Sequence, residues 1–322
     1  MRRSNLKPSE DQLQSNLDKF RMGAGASLSG LEFHVVQAIC KAADKAMHSA
    51  ARIALAEVPE HLKDNLFPTL TADDDPQPMA IQEGDQLAYR VHIPISFVAK
   101  LLAITPTRDD RPPKQPADYL IASTLVAVLA AYGHELNHVF VGHLKTQSSL
   151  GQETHADYIG GGLLWSWVHE KEIAALCCIP PGKAPSMCVY GFLHLICALG
   201  DLEHDQGFYL PRCLRLAVFS GGASFYAGER RGHSQGDLVE LAFRSLPACP
   251  VSGFESSAIR RQHGVLSNQL EQPGMMMEKM ELAFSVMRQE KASWYTASQH
   301  LSPIQKELHR ALIRGESSRE AP

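Results

Sequence analysis

The strongest chemical signal in the chain is the run His134-Glu135-Leu136-Asn137-His138. On an α-helix, residues four apart lie about 40° apart around the axis, so His134 and His138 share a face and can clasp one Zn²⁺. Glu135 falls about 60° from His138, beside such an ion rather than on it. A carboxylate in that place can take a proton from water that the metal activates. The preceding stretch, Tyr119 to Tyr132, is apolar, rich in helix formers and free of Gly and Pro. It predicts a buried helix, where two histidines and a glutamate are costly unless a metal or polar partners satisfy them. Ala127, Ala130 and Ala131 lie on the histidine side and leave room for another element to approach.

A third ligand follows downstream. Lys145 to Leu150 reads as a polar connector, and Ser149 with Gln152 fits a capping box that opens a second helix. Two helices joined by so short a loop pack antiparallel. His138 then lies about one and a half turns before the first helix ends, and Glu153 about one turn into the second. They meet at similar height, so Glu153 is the expected third ligand. Asp157, four residues on, shares its face and can orient a ligand histidine. Three protein ligands leave one position open, as in catalytic zinc sites, and one Zn²⁺ per chain is expected. His143 is nine residues after His134, about 180° round a continued helix, and is expected to point away as a helix-end or solvated residue. His155 is expected to face elsewhere as well. The longer pattern HExxHxxGxxH does not apply, because Val141 and Leu144 stand at its Gly and third-His positions.

HELNHVFVGH followed by ETHADYIGGGLL resembles the HExxH…ExxAD signature of gluzincin metallopeptidases, in particular the HtpX-like and CAAX-prenyl-protease-like enzymes. Phage-exclusion Lit-type and ImmA-type repressor-cleaving peptidases carry similar signatures. The resemblance covers about 40 residues. It implies that His134, His138 and Glu153 bind zinc, Glu135 is the general base and Asp157 supports a ligand. In HtpX-like relatives a His-Pro pair and a later arginine follow the third ligand. Here Leu210 stands at the histidine position and the Pro211-to-Arg215 spacing is one shorter. An oxyanion needs a further donor in any case, and His204, Tyr209 and Arg215 are the candidates.

Composition sets the frame for that chemistry. A chain of 322 residues with 44% hydrophobic and 20% charged residues is ordinary for a globular protein. Its formal net charge of −4 gives no electrostatic case for nucleic acid or anionic membranes. Seven cysteines, several in apolar stretches, read as reduced thiols in a cytoplasmic protein. The first twenty residues lack the apolar core of a signal peptide, and no segment approaches the roughly 20 apolar residues of a membrane span. That separates the chain from the membrane-embedded HtpX-like branch.

The elements that must position these residues can be read in order. Residues 1–70 are expected to form an N-terminal helical region, 71–270 a zincin-like metallopeptidase domain, and 271–322 a helical extension with a disordered tail. Ser29 and Glu32 cap a long amphipathic helix with Val35, Ile39, Ala42, Ala46 and Ala50 inward. Thr71 to Pro78 is an acidic loop. Met79–Gln82 and Gln86–Ile93, around Glu83-Gly84-Asp85, predict a β-hairpin. Its edge can receive an extended substrate by strand addition, as the resemblance implies. Ser96–Leu102 reads as helix, Pro106–Pro116 as a charged loop or lid, and Met187–Leu199 as a buried helix. Gly160-Gly161-Gly162 suggests close packing on the first metal helix. Ser220 to Ala223 and Arg230 to Gly236 read as loops, Glu271–Arg288 and Ser302–Leu312 as helices, and Arg314–Pro322 as the tail.

The fold class is therefore α+β, predominantly α, with a helix hairpin at the active site and a small sheet beside it. The expected activity is a zinc endopeptidase acting on a protein or peptide, which can require an activating partner. The other class of reading is a metal-binding regulatory or interaction protein with little turnover.

Overall fold

The computed structural model describes residues 10–56, 58, 66–83, 88–104, 117–141, 143, 149–199, 209–231, 278–279 and 281–290. Its helices are α1 (Glu10–Met22), α2 (Gly30–Ala54), α3 (Ile95–Ile104), α4 (Ala117–Val141), α5 (Leu150–Val168), α6 (Lys171–Leu176), α7 (Ala184–Leu199) and α8 (Arg212–Arg231). A last helical stretch, α9, covers residues 281–290. Three strands, β1 (Pro68–Thr71), β2 (Met79–Glu83) and β3 (Ala88–Pro94), form one sheet in the order β1-β3-β2. The expected class, mostly helix with a small sheet, is what the chain adopts.

Local sequence accounts for the helix starts. Ser29 caps α2 with both halves of the capping box formed, Ser29 to the Glu32 N–H and Glu32 back to the Ser29 N–H. At α5 the Ser149 hydroxyl accepts from the Gln152 N–H at 3.1 Å. The buried face of α2 is turned slightly from the expected one. Val36, Cys40, Ala43 and Met47 are buried with Ile39, Ala46 and Ala50, whereas Val35 is exposed.

In the sheet, β2 and β3 are the antiparallel pair expected of a hairpin, with Ala80 opposite Val91. Val91 and Ile93 are buried and Arg90 is exposed, as strand alternation requires. β1 joins β3 in parallel, Pro68 opposite Val91, and closes the far side. Among the described strands β2 is therefore an edge.

α4 is the central element, packing on α2, α5, α7 and the sheet. His194 of α7 pins three helices together. Its Nδ1 lies 3.2 Å from Ser123 Oγ of α4, and its Nε2–H donates to the Leu101 carbonyl of α3 at 2.9 Å. The expected antiparallel hairpin of α4 and α5 is seen in residue pairs that run in opposite directions. His134 meets Asp157, Gly133 meets Gly160, and Tyr132 stacks on Trp167.

The glycines of α5 serve two neighbours rather than one. A Cβ on Gly160 would lie 3.3 Å from the His134 backbone nitrogen of α4, but one on Gly161 would lie 2.0 Å from the Phe219 carbonyl oxygen of α8. Reciprocally, a Cβ on Gly222 would sit 1.8 Å from the Tyr158 carbonyl oxygen. This corrects the reading of Ser220 to Ala223 as a loop: the segment is mid-helix in α8, and its glycines allow two backbones to touch. Arg230 and Arg231 also belong to α8.

The hairpin turn at Gly84 and Asp85, the Pro106–Pro116 loop, His204, the Ser302–Leu312 helix and the tail lie outside the described residues. Among the described residues no helix is long and apolar enough to cross a membrane.

Candidate metal centre

Two helices supply the donors. α4 presents His134 and His138 from its last two turns, and α5 presents Glu153 from its first turn. His134 Nε2 lies 3.1 Å from His138 Nε2 and 3.1 Å from Glu153 Oε2, and His138 Nε2 lies 3.6 Å from the same carboxylate oxygen. Zinc bonds of about 2.0–2.2 Å in a tetrahedron put neighbouring donors roughly 3.3–3.5 Å apart. The observed triangle brackets that spacing. Among the described residues, these three form the one group of His, Cys, Asp and Glu donors placed to hold a metal ion.

Electrostatics point the same way. All three side chains are buried. Burial by itself presses the His134 pKa down, but hydrogen bonds and charge from Asp157 and Glu153 reverse this and lift it to about 10. Burial raises the Glu153 carboxyl, and the charges and hydrogen bonds of His138 and His134 hold it well below its ordinary value instead. Two buried carboxylates facing two imidazoles make a place where a cation is stable. The residues present fit a divalent metal with mixed nitrogen and oxygen preference, as zinc has.

Asp157 stands where its spacing predicts, behind His134. His134 Nδ1–H donates to Asp157 Oδ1 at 2.9 Å, so the neutral form of His134 turns its Nε2 lone pair toward the other donors. Arg215 of α8 holds the other side of that carboxylate, Nε to Oδ2 at 2.8 Å and Nη2 to Oδ1 at 3.0 Å. Burial raises the Asp157 carboxyl, and Arg215 foremost brings it below its ordinary value. Arg215 is thus engaged with Asp157 through two of its nitrogens. The Tyr209 ring lies under the guanidinium, 4.9 Å from its carbon.

Glu135 does not join the donor triangle. It lines a cleft of about 440 Å³ together with His134, Tyr209 and Arg215. Ala131 of α4, Leu195 and Leu199 of α7 and Pro78 give that cleft its apolar wall. Burial raises the Glu135 pKa, offset in part by the two histidines and by a hydrogen bond from the backbone of Ala80. Ala80 belongs to β2, so the edge strand runs alongside the metal helix at the position of Glu135.

Two expectations about histidines need correction. His143 is neither solvated nor turned away: it is buried, with Nδ1 2.9 Å from His138 Nδ1. The helical extrapolation fails because α4 stops at Val141. Gly142, a common helix-stop residue, is the sequence signal that marks this end. Burial, with His138 and His155 nearby, keeps His143 neutral by driving its pKa far down. His155 is also buried, its Nδ1 3.4 Å from Asn137 Nδ2 and its ring 5.6 Å from that of His143. Neither histidine belongs to the donor triangle.

Glu290 of α9 is a contact that no local pattern announces. Its carboxylate accepts from the Ser149 hydroxyl at 2.5 Å, at the positive N-terminus of the helix that carries Glu153. Comparison of the chain with known protein families, curated proteins and solved structures returns no match. The functional reading rests on the site itself.

Proposed function

We propose that the protein is a zinc-dependent endopeptidase of the gluzincin type, with His134, His138 and Glu153 as ligands and Glu135 as general base. The observation that carries the reading is the placement of a half-buried Glu135 on the cleft wall, next to a donor triangle of zinc-like dimensions. A structural metal site needs no such carboxylate. When bound, zinc supplies Lewis acidity, which makes water more acidic and polarises a carbonyl.

The chain's own residues would then divide the work. Asp157, held by Arg215, keeps His134 in the tautomer that frees Nε2. Glu135, its pKa raised by burial, takes a proton from the attacking water and delivers it to the departing amide nitrogen. Water oxygen bonds to the carbonyl carbon while the carbonyl π pair moves onto its own oxygen, and collapse of that oxyanion breaks the carbon–nitrogen bond. Tyr209 keeps its phenolic proton, because burial raises its pKa, so its hydroxyl is a suitable donor for the oxyanion. Arg215 is less suited to that task while it serves Asp157. The edge of β2 offers an extended peptide a backbone to pair with, beside Glu135.

The test is Glu135→Gln. The exchange keeps side-chain shape but removes the proton acceptor, so zinc content should persist while cleavage in a lysate falls at least about 10²-fold. Unchanged cleavage at full zinc loading would end this mechanism. Zinc bound by wild type with no cleavage difference in any lysate or with any added partner would favour a metal-binding regulatory protein.

A further inference from the structure

His134 has a carboxylate behind it; His138 has another histidine. His138 Nδ1 lies 2.9 Å from His143 Nδ1, with the rings 5.0 Å apart and 66° between their planes. Two nitrogens at that distance share one proton, and the direction of sharing decides what His138 can do. If His143 donated, neutral His138 would carry its hydrogen on Nε2, aimed at His134 and Glu153, and could not ligate through that atom. If His138 donates, its Nε2 lone pair is free to face the other two donors.

We infer that His143 is the positioning residue of His138, accepting its Nδ1 proton and so fixing the tautomer and ring plane in which Nε2 serves as a metal ligand. The inference rests on the metal centre proposed above but not on peptidase activity. His143 is suited to the role because it is deeply buried, and its ring is backed by His155 at 5.6 Å. The site is then supported asymmetrically: a charged Asp157–Arg215 pair behind one histidine ligand, a neutral imidazole behind the other. Partners of this kind change metal affinity by about 10- to 100-fold when removed.

The experiment measures Zn²⁺ affinity by competition with a chromophoric chelator in wild type, His143→Ala and His143→Asn. The Asn side-chain oxygen occupies the place of Nδ1 and accepts the same hydrogen. His143→Ala should bind one zinc about 10- to 100-fold more weakly, with a changed Co²⁺ absorption spectrum, and His143→Asn should restore most of both. A purely structural role would lower the melting temperature of His143→Ala and leave affinity and Co²⁺ spectrum unmoved; that result overturns the inference. Should both variants fail to fold, nitrogen-15 NMR of zinc-loaded wild type decides. A hydrogen on His138 Nδ1 with a nitrogen–nitrogen coupling across it to His143 Nδ1 supports the assignment, and the absence of that coupling overturns it. Failure of wild type to take up any zinc removes the metal centre and this inference together, whereas equal binding by wild type and His143→Ala removes this inference alone.

Discussion

Arg215 stands at the end of a chain of contacts that starts at the metal face: His134 to Asp157 at 2.9 Å, then Asp157 to Arg215 at 2.8 Å. Every member is buried, so each charge depends on its partner. Arg215→Met leaves the Asp157 carboxylate buried beside a single imidazole, and a loss of about 3–5 kcal/mol in unfolding free energy is expected. The double variant Asp157→Asn/Arg215→Met should recover much of that stability, because neither charge remains. It should not recover zinc affinity, because an amide is a weaker acceptor for the His134 Nδ1–H. Urea unfolding and chelator competition on the three proteins separate the two effects. Recovery of both would mean that Asp157 has no part in holding the ligand. At this scale the sequence was informative wherever one helix sets the geometry. His134, Glu135 and His138 follow from spacing alone, and Asp157 from its place four residues after Glu153. Arg215 is 58 residues beyond Asp157, and only the packing of α8 on α5 brings them together. His143 is only five residues beyond His138, yet its place does not follow from spacing, since helical phase says nothing once the helix has stopped.

Between elements, α5 and α8 come close enough for their backbones to meet at Gly161 and Gly222. Successive pairs run in the same direction along both helices, Asp157 with Arg215, Gly161 with Phe219 and Ser166 with Tyr226, so the two lie parallel. Glycine in a helix costs about 1 kcal/mol relative to alanine, so Gly161→Ala should be favourable on propensity alone. The added methyl would stand 2.0 Å from a backbone carbonyl oxygen, which cannot rotate away as a side chain can. The helices must then separate, and overpacking of about 1–3 kcal/mol or more outweighs the gain. A net loss of about 1–2 kcal/mol is expected for Gly161→Ala, with weaker zinc binding because Arg215 moves with α8. Gly30→Ala is the control. A methyl there meets nothing within 4 Å, so neutrality or a slight gain should result. Wild-type stability in Gly161→Ala would show that α5 and α8 do not lie this close. Glycine pairs are ambiguous in a sequence for this reason. They mark turns and close helix contacts alike, and the choice depends on a partner that local pattern does not reveal. The parallel strand β1 escaped notice for a related cause. Four residues, Pro68 to Thr71, are too few to show alternation, and their pairing partner lies beyond β2 in the chain.

For the whole molecule, the question is whether a small metal site can be felt by the fold. One cluster of buried apolar residues extends from Leu17 of α1 to Ala283 of α9, through α4, α5, α7 and α8. The donors join α4 to α5 within that cluster, so losing the ion should weaken the described body as a unit rather than one corner of it. The composition and periodic patterns made a mostly helical body legible, but this continuity arises from contacts between distant segments. Its consequence can be measured by linkage. An ion that binds the folded chain alone stabilises it by about 2.7 kcal/mol when free metal is a hundredfold above its dissociation constant. For a chain of this size that amounts to a melting temperature higher by about 4 °C with zinc than with excess chelator. Mg²⁺ at the same concentration should give no shift, because two imidazoles and one carboxylate suit a borderline ion and not one that demands oxygen ligands. His138→Ala and Glu153→Ala should abolish the zinc shift, each removing one edge of the triangle. Far- and near-ultraviolet transitions should move together if the core unfolds as one. Identical melting of wild type in zinc and in chelator, with zinc absent from the purified protein, would mean that the buried cluster is held by its own protons and hydrogen bonds and that no metal belongs there.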